Sequence, residues 1–173
     1  HFFAVSYTSL LKMTLGNVAK MYNTISKYPL GKYVFSQLFC LKAPYFMSIN
    51  PMVNDLKSGY ASVSMKQRWY VQNHIKTVHA IAVCNLVELA MGLVAEGTIP
   101  AHLRWLPMGM DVNYKKKATG KLTATSTIDS ESFFTLEKYP GMVKVPVIVK
   151  NEEGVEVTTA EVRLWISEKP KGP

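Results

Sequence analysis

The sequence predicts an α+β domain in which an antiparallel sheet wraps one central, buried helix. Three observations carry this expectation. A segment from about 78 to 96 is apolar on every face, two strand-like runs precede it, and four more follow it with no further helical pattern. A helix without a polar face must be enclosed, and a curved sheet can cover several of its sides at once.

The elements follow in chain order. Leu11, Leu15, Val18, Tyr22 and Ile25 recur at helical spacing, with Lys12, Lys20 and Lys27 elsewhere on the wheel, which predicts an N-terminal amphipathic helix stopped by Pro29 and Gly31. Tyr33–Leu41 reads as a second, shorter helix before Pro44. Tyr45–Leu56 and Tyr60–Trp69 read as an extended pair joined by the turn Lys57-Ser58-Gly59. In the central segment Ile81, Ala82, Leu86, Leu89, Leu93 and Val94 keep the helical period, while Val83, Val87, Ala90 and Met91 fill the other faces; Gly97 and Pro100 should end it. Arg104–Tyr114, Lys121–Ser130, Met142–Lys150 and Val155–Ser167 then read as strands, separated by turn material such as Ala118-Thr119-Gly120 and Asn151-Glu152-Glu153-Gly154. The chain divides into a helical extension (1–43), a main domain (44–168) and a short tail (169–173).

Composition narrows the function classes. With 48% hydrophobic and 18% charged residues the chain is globular in type. Asn85 and Glu88 interrupt the run Ile81–Val94, so no apolar stretch reaches the roughly 18 residues of a membrane span, and a soluble protein is expected. Cys40 and Cys84 make neither a disulfide framework nor a metal site, and no cofactor is called for. Reduced thiols point to the cytoplasm; the mitochondrion is the alternative, because the basic, amphipathic start resembles a transit segment. The net charge is +8, and the first 54 residues hold five lysines before the first acid, Asp55. Such charge suits nucleic acid, an anionic surface or a phosphorylated small molecule. No nucleic-acid motif accompanies it, which removes the first of these.

Chemistry concentrates around the central helix. Asn85 and Glu88 are three residues apart and so share a face, with Ile81 and Gly92. A carboxylate inside an apolar helix is costly to bury, and sequences seldom keep one for packing alone; as a general acid or base it has a use. Immediately before the helix runs Asn73-His74-Ile75-Lys76-Thr77-Val78-His79-Ala80. The first N–H groups of a helix have no internal acceptor, and here they could hold the oxygen of a polarised carbonyl.

Asn73, His79 six positions on, and Glu88 nine after that resemble the N-x5-H-G-G-x7-D/E signature of hot-dog-fold acyl-CoA thioesterases related to phenylacetyl-CoA thioesterase. The likeness continues through Met110-Asp111-Val112-Asn113-Tyr114 and Lys115–Gly120, and covers roughly residues 44–168. It implies a hot-dog fold and hydrolysis of acyl-CoA to free acid and coenzyme A. Glu88 would be the base or nucleophile, Asn73 the amide that orients water or the thioester carbonyl, the Ala80 backbone N–H the oxyanion donor, and His79 a positioning residue. Asn85, Ile81, Lys115, Lys116 and Lys117 would contact substrate, the lysines at the nucleotide phosphates, with Arg104, Lys121 and Arg163 in the same field. The sequence departs from the signature where Ala80 and Ile81 replace its two glycines, and where Pro107 occupies the place of an assisting hydroxyl. Two alternatives accompany this reading. A pocket that binds acyl-CoA or a fatty acyl chain without cleaving it fits Ile81 and Pro107. The fourteen-residue spacing of His74 and Glu88 resembles hot-dog 3-hydroxyacyl-thioester dehydratases. The resemblance also implies a homodimer or tetramer, because one curved sheet cannot close over every side of such a helix.

Overall fold

The computed structural model describes residues 18–129 and 139–170. Three α-helices and six strands follow in the order α1 (Val18–Ile25), α2 (Gly31–Lys42), β1 (Met52–Lys57), β2 (Tyr60–Lys66), α3 (Ala80–Thr98), β3 (Leu103–Tyr114), β4 (Lys121–Thr127), β5 (Gly141–Lys150) and β6 (Glu156–Glu168). The strands form one antiparallel sheet in the order β1-β2-β4-β5-β6-β3. Helix α3 packs against five of the six, leaving the edge strand β3 largely beyond it.

Alternation builds the inner face of this sheet. In β5, Val145, Val147 and Val149 are buried while Lys144, Pro146 and Ile148 face outward, as the two-residue period of a strand requires. Leu122 and Ala124 of β4 and Val162, Leu164 and Ile166 of β6 complete that face. Against it lie Leu86, Leu89, Met91 and Leu93 of α3, each fully buried, and each worth about 1.5–3 kcal/mol of transfer free energy. By length and mean hydropathy α3 could cross a membrane, yet most of it is buried inside the protein. The sheet, not lipid, is its solvent.

Helices α1 and α2 cover the other end of the core. Tyr22 and Phe35 meet edge to face at 5.1 Å, and the Tyr22 hydroxyl donates to the Asn54 carbonyl at 2.6 Å. Burial, aided by the Asp55 charge, pushes this phenol up to about 12. The part of the expected first helix before Val18 lies outside the described residues, as does Ser130 at the end of the expected fourth strand.

Several boundaries differ from the sequence reading for identifiable reasons. The expected strand from Tyr45 begins only at Met52, because Pro44–Ile49 forms a 3₁₀ turn with Pro44 in its first turn. The Ser48 hydroxyl donates to the Tyr45 carbonyl at 2.7 Å, a local bond that competes with strand pairing. Likewise β2 stops at Lys66, and Trp69–Val71 forms another 3₁₀ turn. Gly31 opens α2 rather than ending α1, since a Cβ there would stand 1.9 Å from the Ile25 carbonyl oxygen. Helix α3 starts two residues later than expected and passes through Gly97, where the missing side chain lets Leu56 and Ala19 approach. Only Ile99-Pro100 ends it.

Candidate active site

The site gathers at the start of α3. His79 is the N-cap, in extended conformation, and its Nδ1 accepts from the Ile81 N–H at 3.1 Å. Its own N–H donates to the Val71 carbonyl at 2.8 Å, which ties the helix start to the preceding turn. A capping side chain satisfies one of the orphan donors of the first turn. The Ala80 N–H keeps no acceptor among the described residues and remains available to an oxyanion.

One turn on, Asn85 is 5% exposed, and its Nδ2 donates to the Ser48 hydroxyl at 3.0 Å. Its Oδ1 is buried with no hydrogen-bond partner, a cost that native interiors rarely carry without a use. Glu88, half-buried, makes no hydrogen bond or ion pair among the described residues. Beside them the half-buried Cys84 Sγ lies 3.0 Å from the Tyr114 hydroxyl, which also reaches the Ala80 carbonyl at 3.4 Å. Burial and the Cys84 contact push the Tyr114 phenol up to about 12. Ser48 was not singled out from sequence, and Tyr114 only as the end of the family-like stretch Met110–Tyr114, since only the fold carries the end of β3 and the 3₁₀ turn to this helix.

A depression of about 190 Å³ opens at the helix start, lined by Asn85, His79, Ile81, Ser48, Tyr45 and Tyr70 among others. Ile81, in the second glycine position of the signature, is 58% exposed at its mouth.

Asn73 is placed differently from these residues. Its Oδ1 accepts from the N–H groups of Ile75 and Thr77 at 3.1 and 3.0 Å, and its Nδ2 donates to the Thr77 hydroxyl at 2.8 Å. The amide is spent closing its own loop, and no hydrogen bond joins it to Glu88, His79 or Ala80. His74 is exposed on that loop.

The basic residues separate as well. Lys115 pairs with Glu156, and Arg163 with Asp111. The second contact explains Gly109, where a Cβ would stand 2.5 Å from the Arg163 guanidinium. Arg104 donates to the Ser167 hydroxyl at 3.1 Å. Lys116 and Lys117 are exposed and outside any ion pair among the described residues.

A six-stranded antiparallel sheet around a central helix, with the Ala80 N–H open at the helix start, defines the hot-dog fold. The chain belongs to the family described as Domain of unknown function (DUF4442), which it matches over residues 31–166. A protein solved as a structural-genomics target is 37% identical, with a TM-score of 0.74 over 90% of this chain and 99% of that one. A Pseudomonas aeruginosa protein of unknown function, described as a probable thioesterase, is 18% identical (TM-score 0.71; 78% of this chain, 93% of that one). A Staphylococcus aureus thioesterase is 19% identical (TM-score 0.62; 72% and 98%). No curated protein matches the sequence.

Proposed function

We propose that this protein hydrolyses acyl-CoA thioesters to the free acid and coenzyme A. The observation that carries the reading is Glu88: a half-buried carboxylate with no partner among the described residues, two turns along the helix from the free Ala80 N–H. The thioester carbonyl oxygen would sit on that N–H, where the positive end of the helix dipole also favours developing negative charge. Because Ala80 and Glu88 stand about 12 Å apart along one helix, the Glu88 that serves this carbonyl would come from a second copy of the chain, taking a proton from water as the water oxygen attacks the carbonyl carbon. The C–S bond then breaks, and the proton passes to the departing thiolate. His79, as the cap, holds the donor in place. Thioesterase neighbours support acyl-thioester hydrolysis as the general chemistry.

Asn73 would act only if its loop opened or a second subunit supplied a different contact. Assembly is part of the proposal. Strand β3 is a twelve-residue edge on which Leu106 and Met108 are 55% and 61% exposed, and an edge of that length invites pairing. A homodimer through β3 would cover the side of α3 that the sheet leaves open. Light scattering at micromolar concentration should give at least twice the chain mass, and a monomer would remove this part.

A panel of acyl-CoAs from acetyl to palmitoyl, read as free-thiol release, tests the reaction. Thiol release at any chain length supports it. Ile81 at the mouth of the depression favours a second reading, acyl binding without cleavage, and saturable binding with no thiol release would establish that instead.

A further inference from the structure

Three cations converge on a cleft that the sequence does not announce. Lys66 of β2 and Lys121 of β4 stand directly opposite one another in the sheet register. Like charges in that position repel. Arg68 follows two residues after Lys66, and all three line a depression of about 260 Å³ with Tyr33, Asn50 and Ser64. The guanidinium is held in place by neutral groups. With its amide oriented toward Arg68, the Asn50 oxygen accepts from both terminal nitrogens at 2.6 and 2.9 Å, and Nη1 donates to the Tyr70 hydroxyl at 3.2 Å. None of the three cations forms an ion pair among the described residues. The nearby Glu152 carboxylate accepts from the Lys121 main-chain N–H at 2.9 Å and pairs with none of the three side chains. A repelling pair and a fixed guanidinium, all without counter-ions, make a site for an anion with several oxygens.

Shared lining residues link the cleft to the depression at the helix start. It shares Asn50 and Pro51 with an adjoining depression of about 290 Å³, which in turn shares Tyr70 with the one beside Asn85 and Ile81. Exposed Met47, Tyr45 and Tyr70 line this furrow. The loop between them is braced to the same end of the sheet: Gln67 bonds Gly120 through both main chain and side chain, and the Val78 N–H donates to the Ala118 carbonyl.

We infer that Lys66, Arg68 and Lys121 bind the phosphates of the substrate's nucleotide carrier, with the carrier's arm lying along the furrow toward the Ala80 N–H. This rests on the acyl-CoA reading for the identity of the ligand, and assigns its phosphates away from the contiguous lysines 115–117.

Binding of adenosine 3′,5′-diphosphate, the nucleotide end of coenzyme A, tests it by calorimetry without any turnover. The intact protein should bind the nucleotide, more weakly as salt rises. Arg68→Ala and the double variant Lys66→Ala/Lys121→Ala should each weaken binding about tenfold or more, the scale of lost charge-assisted bonds. The double variant should melt no lower than the parent, since a repelling pair is gone. Lys116→Ala/Lys117→Ala should bind nearly as the parent does. Absent nucleotide binding, or binding unchanged in the Arg68 and Lys66/Lys121 variants, overturns the inference. Inorganic phosphate binding as tightly as the nucleotide overturns the carrier assignment in favour of a free-phosphate site. Nucleotide binding that is lost in these variants, in a protein that cleaves no acyl-CoA, supports the site and removes only the hydrolytic reading.

Discussion

Helix α3 carries two carboxylates, one in its middle and one near its C-terminal end, and the two are treated differently. Glu96, near the C-terminal end, accepts a hydrogen bond from the Trp105 indole at 2.9 Å. It follows Leu89–Ala95, a run in which every residue is buried. Burial raises its carboxyl above the usual value, with the Trp105 bond and the charges of Lys169 and Lys42 pulling the other way. Glu88 stands where exposed Ile81, half-buried Cys84 and the orphaned Asn85 oxygen share the helix, and it has no partner among the described residues. A carboxylate that has found an indole and neighbouring cations is accounted for by packing. One left without a partner on the same helix as a free N-terminal N–H invites a chemical explanation.

The sharpest way to test this contrast is Glu88→Gln, which keeps the volume and removes the charge. The kcat for acyl-CoA hydrolysis should fall about 10²-fold or more, the scale of lost acid–base assistance, while the melting temperature holds or rises. Normal turnover with a melting point many degrees lower would make Glu88 a packing residue like Glu96. In the buried run that follows Glu88, Leu93→Ala should cost about 2–5 kcal/mol in denaturant unfolding, because a fully buried side chain leaves a cavity in the core. Its residual activity per folded molecule should stay near the parent's. A large kcat loss without destabilisation would erase the division between the two carboxylates' surroundings.

The smallest expected effect is at Glu96. Its folded carboxyl holds its proton to higher pH than the unfolded chain does, so folded stability falls as pH rises above about 4.5 and through the raised value. Glu96→Gln should flatten that loss in a pH series of melting curves, with kcat unchanged. An identical pH series for both proteins would show that the Trp105 bond and nearby cations cancel the burial.

Much of this architecture could be read in advance. The all-round apolar segment requires enclosure, and alternation in Met142–Lys150 and Val155–Ser167 marks strands with one buried face. Local hydrogen bonding defeated the reading at Pro44–Ile49, where a proline and a serine hydroxyl make a 3₁₀ turn inside an otherwise strand-like composition. Gly97 misled for a related reason: glycine ends helices by freeing the backbone, yet here it serves close packing against Leu56 and Ala19, which is invisible to spacing.

For the site, sequence by itself determined which residues share one helix and which precede it. Asn85 and Glu88 lie three apart, and His79 and Ala80 lie at the helix start; helical geometry follows from short-range bonds alone. Tertiary structure decided which of those groups are free. Asn73 is consumed by Thr77, Lys115 by Glu156 and Arg163 by Asp111, while Glu88 and the Asn85 oxygen are left over. It also brought Lys66, Arg68 and Lys121 together across a strand register. The physical reason is that local spacing sets the direction of a side chain, whereas its partner is chosen by whatever the folded sheet carries beside it.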